Sequence, residues 1–162
     1  MSIYIFSRPV HSGKTTELQQ WCNKQTNIGG ILMPDINGSR KVYGIAGGEI
    51  FDIECTDTAT TKEPLIVIGR FHFFTEAFEK ANSILIHAMD QNPGWLIIDE
   101  AGKLELDRKG FYQSIKEAVA MYNDEATTGN LLIVVRESLC NEVISFFNLK
   151  NCTIITRLED IG

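Results

Sequence analysis

Short apolar runs alternate along the chain with segments whose apolar residues recur at helical spacing. The runs that predict buried strands are residues 3–6, 28–33, 95–98, 131–135 and 152–155. The segments that predict helices are residues 14–25, 75–92, 111–122 and 138–147. This alternation is typical of an α/β fold with a mostly parallel sheet.

The pattern changes around residues 35–69. Asn37-Gly38 and Gly47-Gly48 are hairpin turn signals, and they flank the short alternating stretches 42–45 and 50–53. A polar stretch at 56–64 predicts a loop, and residues 65–68 predict one more strand. We therefore expect an antiparallel hairpin insertion in an otherwise parallel sheet.

Length and composition place the chain among ordinary globular proteins. Its 162 residues suit one domain over 1–162, with 44% hydrophobic and 22% charged residues. Fifteen Lys and Arg residues against 21 Asp and Glu residues give a net charge of −6, which disfavours a nucleic-acid partner. Residues 1–6 have neither the cationic nor the long apolar segment of a secretion leader, so we expect none, and no apolar run is long enough for a membrane span. We expect a cytoplasmic protein, and the sequence leaves any protein partner unknown.

The cysteines and histidines predict no metal site. Cys22, Cys55, Cys140 and Cys152 are widely separated, and no histidine lies at zinc-ligand spacing from them. We interpret the cysteines as reduced thiols.

The first strand and the first helix are joined by a candidate phosphate-binding loop. The loop ends in Ser12, Gly13, Lys14, Thr15 and Thr16. Backbone N–H groups at a helix start converge on phosphate oxygens, and a lysine neutralises the β- and γ-phosphates. A threonine hydroxyl in the place of Thr15 ligates the accompanying Mg²⁺. We expect these residues to bind the phosphates of ATP, GTP or another nucleoside triphosphate.

The usual spacing of such loops requires a glycine where this chain has Arg8. Val10 and His11 also bring side chains to this loop. If these side chains fold outward, Arg8 adds positive charge at the γ-phosphate. If they fold inward, they obstruct the nucleotide.

Two adjacent acids follow the apolar run at 95–98. Asp99 stands where a phosphate-loop enzyme holds its metal, and Glu100 can accept a proton from the attacking water. The alternative is that both carboxylates simply solvate the end of a strand. Both motifs occur in the expected order, which favours the catalytic interpretation.

Three other features have both a functional and a structural interpretation. Arg136 ends a predicted strand and can reach the same crevice as a catalytic residue, or it begins a surface loop. Lys103 has the same two alternatives. The aromatic residues Phe71, Phe73 and Phe74 either stack on a base or, as we favour, belong to the core.

These residues resemble the small P-loop nucleoside-triphosphatases, a family first described from a thermophile. The stretch LIIDEAGKLEL at 96–106 is similar to the family's extended IDEIGKMEL block. Residues 29–30, 38–41 and 44 resemble its glycine–arginine hairpin region, and Val134, Val135 and Arg136 fall where the family carries basic residues. The resemblance covers nearly the whole chain.

The resemblance implies a RecA-like three-layer sandwich and Mg²⁺-dependent hydrolysis of nucleoside triphosphates with broad base specificity. It implies that Lys14 and Thr15 bind phosphate and metal, that Asp99 holds metal, and that Glu100 is the catalytic carboxylate. The family's loop resembles GRPGVGKTT, so either Arg8 replaces its first glycine, or Ser7 does and this loop is one residue longer. His11 falls where the family has a small residue.

Two rival functions remain open. A small-molecule kinase uses the same loop, although the insertion at 35–69 lacks an arginine-rich lid pattern. A nucleotide-binding switch with little catalysis is the other alternative, and the altered loop supports it. A dinucleotide-binding dehydrogenase is excluded because no GxGxxG follows a strand.

Overall fold

The computed structural model describes residues 2–161. The strands are β1 (Ser2–Arg8), β2 (Ile28–Leu32), β3 (Asp35–Ile36), β4 (Ser39–Gly44), β5 (Ile50–Asp52), β6 (Leu65–Ile68), β7 (Phe71–Phe74), β8 (Trp95–Ala101), β9 (Asn130–Arg136) and β10 (Cys152–Ile155). The helices are α1 (Lys14–Cys22), α2 (Thr75–Asp90), α3 (Lys103–Leu106), α4 (Tyr112–Tyr122) and α5 (Cys140–Phe146). Two short 3₁₀ turns lie at Glu137–Leu139 and Leu158–Ile161.

Eight of the strands pair in one twisted sheet. Their order is β10-β1-β9-β8-β2-β4-β3, with β5 also paired to β4. The first five strands in this order run parallel, whereas β4 is antiparallel to β2, β3 and β5. The predicted α/β fold, a mostly parallel sheet with an antiparallel hairpin insertion, is confirmed.

Helices cover both faces of the sheet, so its central strands are apolar on both sides. Leu96 and Ile98 of β8 belong to the larger core, which also contains the apolar faces of α2 and α4. Ile97, between them, belongs to a second core with Leu18 and Trp21 of α1. This burial on both faces explains the continuous apolar run in β8, because a half-exposed strand would alternate apolar and polar residues. The result is a three-layer sandwich.

Glycine lets β2 approach β8 closely. Gly30 has φ +111°, and a Cβ atom added there would lie 2.0 Å from the carbonyl oxygen of Ile97. Only glycine accommodates both the backbone conformation and this contact.

Several predicted element bounds were wrong. The helix predicted for 14–25 ends at Cys22, and its last three predicted residues form tight turns instead. The stretch predicted as 42–45 is the longer strand β4, and the aromatic residues at 71–74 form β7, which pairs antiparallel with β6. The four-residue helix α3 was not predicted, because it is too short to show helical periodicity.

No helix among residues 2–161 is long and apolar enough to cross a membrane.

Candidate functional site

The phosphate-binding loop lies between the carboxyl end of β1 and the start of α1. Gly13 precedes the helix with φ +79°, and no other part of the protein lies within 4 Å of the position a Cβ atom would take there. No side chain caps the helix start, so its N–H groups remain available to an anion. Ser12 and Thr16 are exposed beside Gly13, as a phosphate site requires.

Lys14 reaches back across the loop. Its Nζ donates to the carbonyl oxygens of Arg8 at 3.2 Å and Pro9 at 3.0 Å, and the residue is only 9% exposed. Burial lowers the pKa of Lys14, and the charges of Arg8 and Arg136 act in the same direction, while Glu100 and Asp99 oppose them. The ammonium group therefore lies within electrostatic reach of both strand-end acids.

Asp99 is fully buried at the carboxyl end of β8. Its Oδ2 accepts a hydrogen bond from Thr15 Oγ1 at 3.1 Å and another from the Met33 backbone N–H at 3.0 Å. Burial raises the pKa of Asp99 to about 6, although the bond from Met33 opposes this rise. Its other oxygen, Oδ1, is buried and has no hydrogen-bond partner among the described residues.

A buried carboxylate oxygen without a partner is costly, and a bound cation would satisfy it. Carboxylate and hydroxyl oxygens such as those of Asp99 and Thr15 are the ligands Mg²⁺ prefers. Within residues 2–161, no group of three or more His, Cys, Asp or Glu side chains could hold a metal alone. This arrangement fits Mg²⁺, which typically uses one or two protein oxygens together with substrate phosphates.

Glu100 lies between two arginines from different strands. Its Oε1 is 3.7 Å from an Nη atom of Arg136, at the end of β9, and its Oε2 is 3.8 Å from an Nη atom of Arg40, in β4. The Glu100 side chain is 24% exposed, so it can contact water and a ligand. The peptide bond between Asp99 and Glu100 is cis.

Arg40 is the site residue that sequence reasoning missed. It was noted only as part of the glycine–arginine hairpin region, with no role assigned. The available signal was its position two residues after the Asn37-Gly38 turn, which fixes an arginine at the start of the returning strand β4.

The Arg8 side chain contacts the first helix and the end of its own strand. Its guanidinium forms an ion pair with Glu17 of α1 at 2.6 Å and lies 5.0 Å from the centre of the Phe6 ring. The side chain thus ties the end of β1 to the first helix. Its predicted action on the γ-phosphate stays a prediction.

Glu105 supports the loop that follows Glu100, and sequence reasoning assigned it no role. This buried carboxylate accepts hydrogen bonds from the backbone N–H groups of Gly102 at 2.8 Å and Phe111 at 3.0 Å. Burial raises its pKa despite these bonds. The only sequence signal was an acid among apolar residues in the stretch KLEL.

The remaining candidates lie outside this cluster. Lys103 is exposed at the start of α3. Phe73 and Phe74 pack against the larger core, as favoured, whereas Phe71 is 41% exposed. The four cysteines are unpaired, in agreement with the prediction of free thiols.

Comparisons with known proteins place these observations in context. A sequence model of the family described as NTPase matches residues 3–156 of this chain. The fold is similar to the crystal structure of THEP1 from the hyperthermophile Aquifex aeolicus, with a TM-score of 0.71 and 20% sequence identity. That match covers 99% of this chain and 92% of the THEP1 chain. No curated protein matches this sequence.

Proposed function

This chain belongs to the NTPase family, and we propose that it hydrolyses nucleoside triphosphates to the diphosphate and inorganic phosphate in the presence of Mg²⁺. The observation that carries the proposal is the 3.1 Å hydrogen bond from Thr15 to Asp99, which brings the start of α1, with Lys14, to the carboxyl end of β8, with Glu100. Ligands of open α/β sheets bind at this edge.

Each residue has a chemical task in this proposal. The N–H groups after Gly13 and the ammonium of Lys14 bind the β- and γ-phosphates, while Thr15 and Asp99 hold the metal. When bound, Mg²⁺ neutralises charge that develops on the phosphate oxygens. Ser12 and Thr16 complete the exposed rim of the loop.

Glu100 orients the attacking water and accepts its proton. The water oxygen forms a bond to the γ-phosphorus, and the bond from that phosphorus to the β–γ bridging oxygen breaks. The diphosphate leaves with the electron pair, and the proton passes from Glu100 to the products or to bulk water. Arg136, beside Glu100, stabilises the charge of the transferring group.

We propose broad base specificity because every group assigned above acts on the phosphates, the water or the metal. We also propose a cytoplasmic location, since four unpaired cysteines suit a reducing compartment.

The test is phosphate release from several nucleoside triphosphates by the wild type and by Glu100→Gln. The substitution keeps the shape of the side chain but removes the base, so kcat should fall about 100-fold while the nucleotide still binds. Glu142→Gln, the same change at an exposed site on α5, serves as the control and should keep wild-type turnover.

The rival functions give different outcomes in the same assay. Turnover that requires an added acceptor would favour a kinase, and tight binding without turnover would favour a switch. Equal kcat in the wild type and Glu100→Gln would remove the catalytic role of Glu100.

A further inference from the structure

The hairpin insertion brings a second arginine, Arg40, beside Glu100. Arg40 and Arg136 approach opposite oxygens of Glu100, at 3.8 Å and 3.7 Å. Both distances exceed those of close charge-assisted hydrogen bonds, which are about 2.7–2.9 Å. The two guanidinium groups therefore have donors to offer to a more strongly charged partner.

The backbone of Arg40 is firmly anchored while its side chain is partly exposed. Its N–H donates to the Glu54 carboxylate at 2.8 Å, and its carbonyl oxygen accepts from the N–H groups of Ile53 and Glu54. The side chain is 36% exposed. An anchored backbone with an accessible guanidinium suits a side chain that must bind a ligand in a defined orientation.

The other arginine near the loop is already engaged. Arg8 pairs with Glu17 at 2.6 Å, a much closer contact than that between Arg40 and Glu100. Glu100 offers a single negative charge, whereas a nucleoside triphosphate offers several. A γ-phosphate beside Lys14 would compete effectively with Glu100 for Arg40.

We propose that Arg40 is a further catalytic residue. When a triphosphate binds, the Arg40 guanidinium moves away from Glu100 and donates hydrogen bonds to the γ-phosphate oxygens. This inference rests on the proposed function. The exchange places positive charge where negative charge develops in the transition state, as an arginine supplied in cis does in other phosphate-loop enzymes. It also frees one oxygen of Glu100 to hold the attacking water. Arg40 therefore pairs either with Glu100, before the triphosphate binds, or with the γ-phosphate afterwards.

The neighbouring residue provides a matched control. Lys41 carries the same charge on the same strand, but it pairs with Asp52 of β5 instead of Glu100. The test compares Arg40→Ala, Arg40→Lys and Lys41→Ala in steady-state phosphate release. A second measurement uses calorimetry to compare the affinities for a non-hydrolysable triphosphate and for the diphosphate.

Arg40→Ala should lower kcat about 100-fold and weaken binding of the non-hydrolysable triphosphate, because the proposed contact forms when the triphosphate binds and strengthens in the transition state. Arg40→Lys should recover part of the loss, because it restores charge without the planar fork. Arg40→Ala should also lose most of the wild-type preference for the triphosphate over the diphosphate, and Lys41→Ala should retain both rate and preference.

The inference would be overturned if Arg40→Ala kept the wild-type kcat and the wild-type preference for the triphosphate. It would also be overturned if Lys41→Ala lost as much of both as Arg40→Ala does. If Arg40→Ala melts well below Lys41→Ala, the same criteria apply to Arg40→Lys and Arg40→Gln. The binding measurement separates the two proposals. A wild type that releases no phosphate refutes the hydrolase and with it a catalytic role for Arg40, while the triphosphate preference still decides whether Arg40 binds the γ-phosphate.

Discussion

The close approach of β2 to β8 makes Gly30→Ala a sharp test of the fold around the site. The φ of +111° costs an L-residue about 1–2 kcal/mol. The new Cβ atom would lie 2.0 Å from the Ile97 carbonyl oxygen, where ordinary contacts begin at 3.4 Å, so the strands would have to separate by about 1.4 Å. Overpacking of this kind costs about 1–3 kcal/mol, and each weakened hydrogen bond about 1 kcal/mol more.

The expected loss of unfolding free energy is thus about 4 kcal/mol, a large part of the about 5–15 kcal/mol that stabilises a typical domain. Urea denaturation of the wild type and of Gly30→Ala measures this loss of unfolding free energy. Gly38→Ala is the control, because φ there is +78° but nothing lies within 4 Å of the added atom, so only about 1 kcal/mol should be lost. A Gly30→Ala variant no less stable than Gly38→Ala would refute the steric reasoning.

Two further predictions concern the acids of the site. Asp99→Asn keeps an oxygen that can accept the hydrogen bond from Met33 but removes the negative charge. The Mg²⁺ concentration that gives half-maximal phosphate release should therefore rise about tenfold or more. An unchanged Mg²⁺ dependence of phosphate release would contradict the metal assignment. Glu105 has its pKa raised above 4.5 by burial, so the folded protein retains this proton to higher pH than the unfolded chain does. The unfolding free energy of the wild type relative to Glu105→Gln should therefore be highest below pH 4.5 and fall as pH rises through the folded-state pKa of Glu105. A difference measured by urea denaturation that stays constant with pH would contradict the raised pKa.

The parallel part of the fold could be predicted because its strands are buried on both faces. The strand β10 matches its predicted bounds, and β9 extends only one residue beyond its predicted stretch at each end. The turn signals Asn37-Gly38 and Gly47-Gly48 each lie between two paired antiparallel strands, although the two-residue strand β3 was not predicted. The strand β7 was missed because its sequence, FHFF, lacks the alternation that marks a half-exposed strand.

The loop and strand-end residues of the site could also be anticipated, because local sequence dictates where they lie. A strand followed by Gly13 and Lys14, and another ending in Asp99, must meet at one edge of a parallel sheet. Arg40 could not be found in this way. It reaches Glu100 through the pairing of β4 with β2 and of β2 with β8, and the second pairing joins segments far apart in the chain.

The contacts of Arg8 and Arg40 show how this site differs from one built on a glycine at position 8. A charged side chain at that position needs a partner, and Arg8 forms an ion pair at 2.6 Å with Glu17 on the first turn of α1. That ion pair joins the end of β1 to α1, on either side of the loop. The positive charge that Arg8 was expected to supply can then come from Arg40, whose hairpin is joined to the parallel sheet through β2, the strand that leads directly into Met33 and its hydrogen bond to Asp99. The same strand therefore contacts both the carboxylate to which we assign the metal and the insertion that carries Arg40, so we expect a disturbance at Gly30 to reach both.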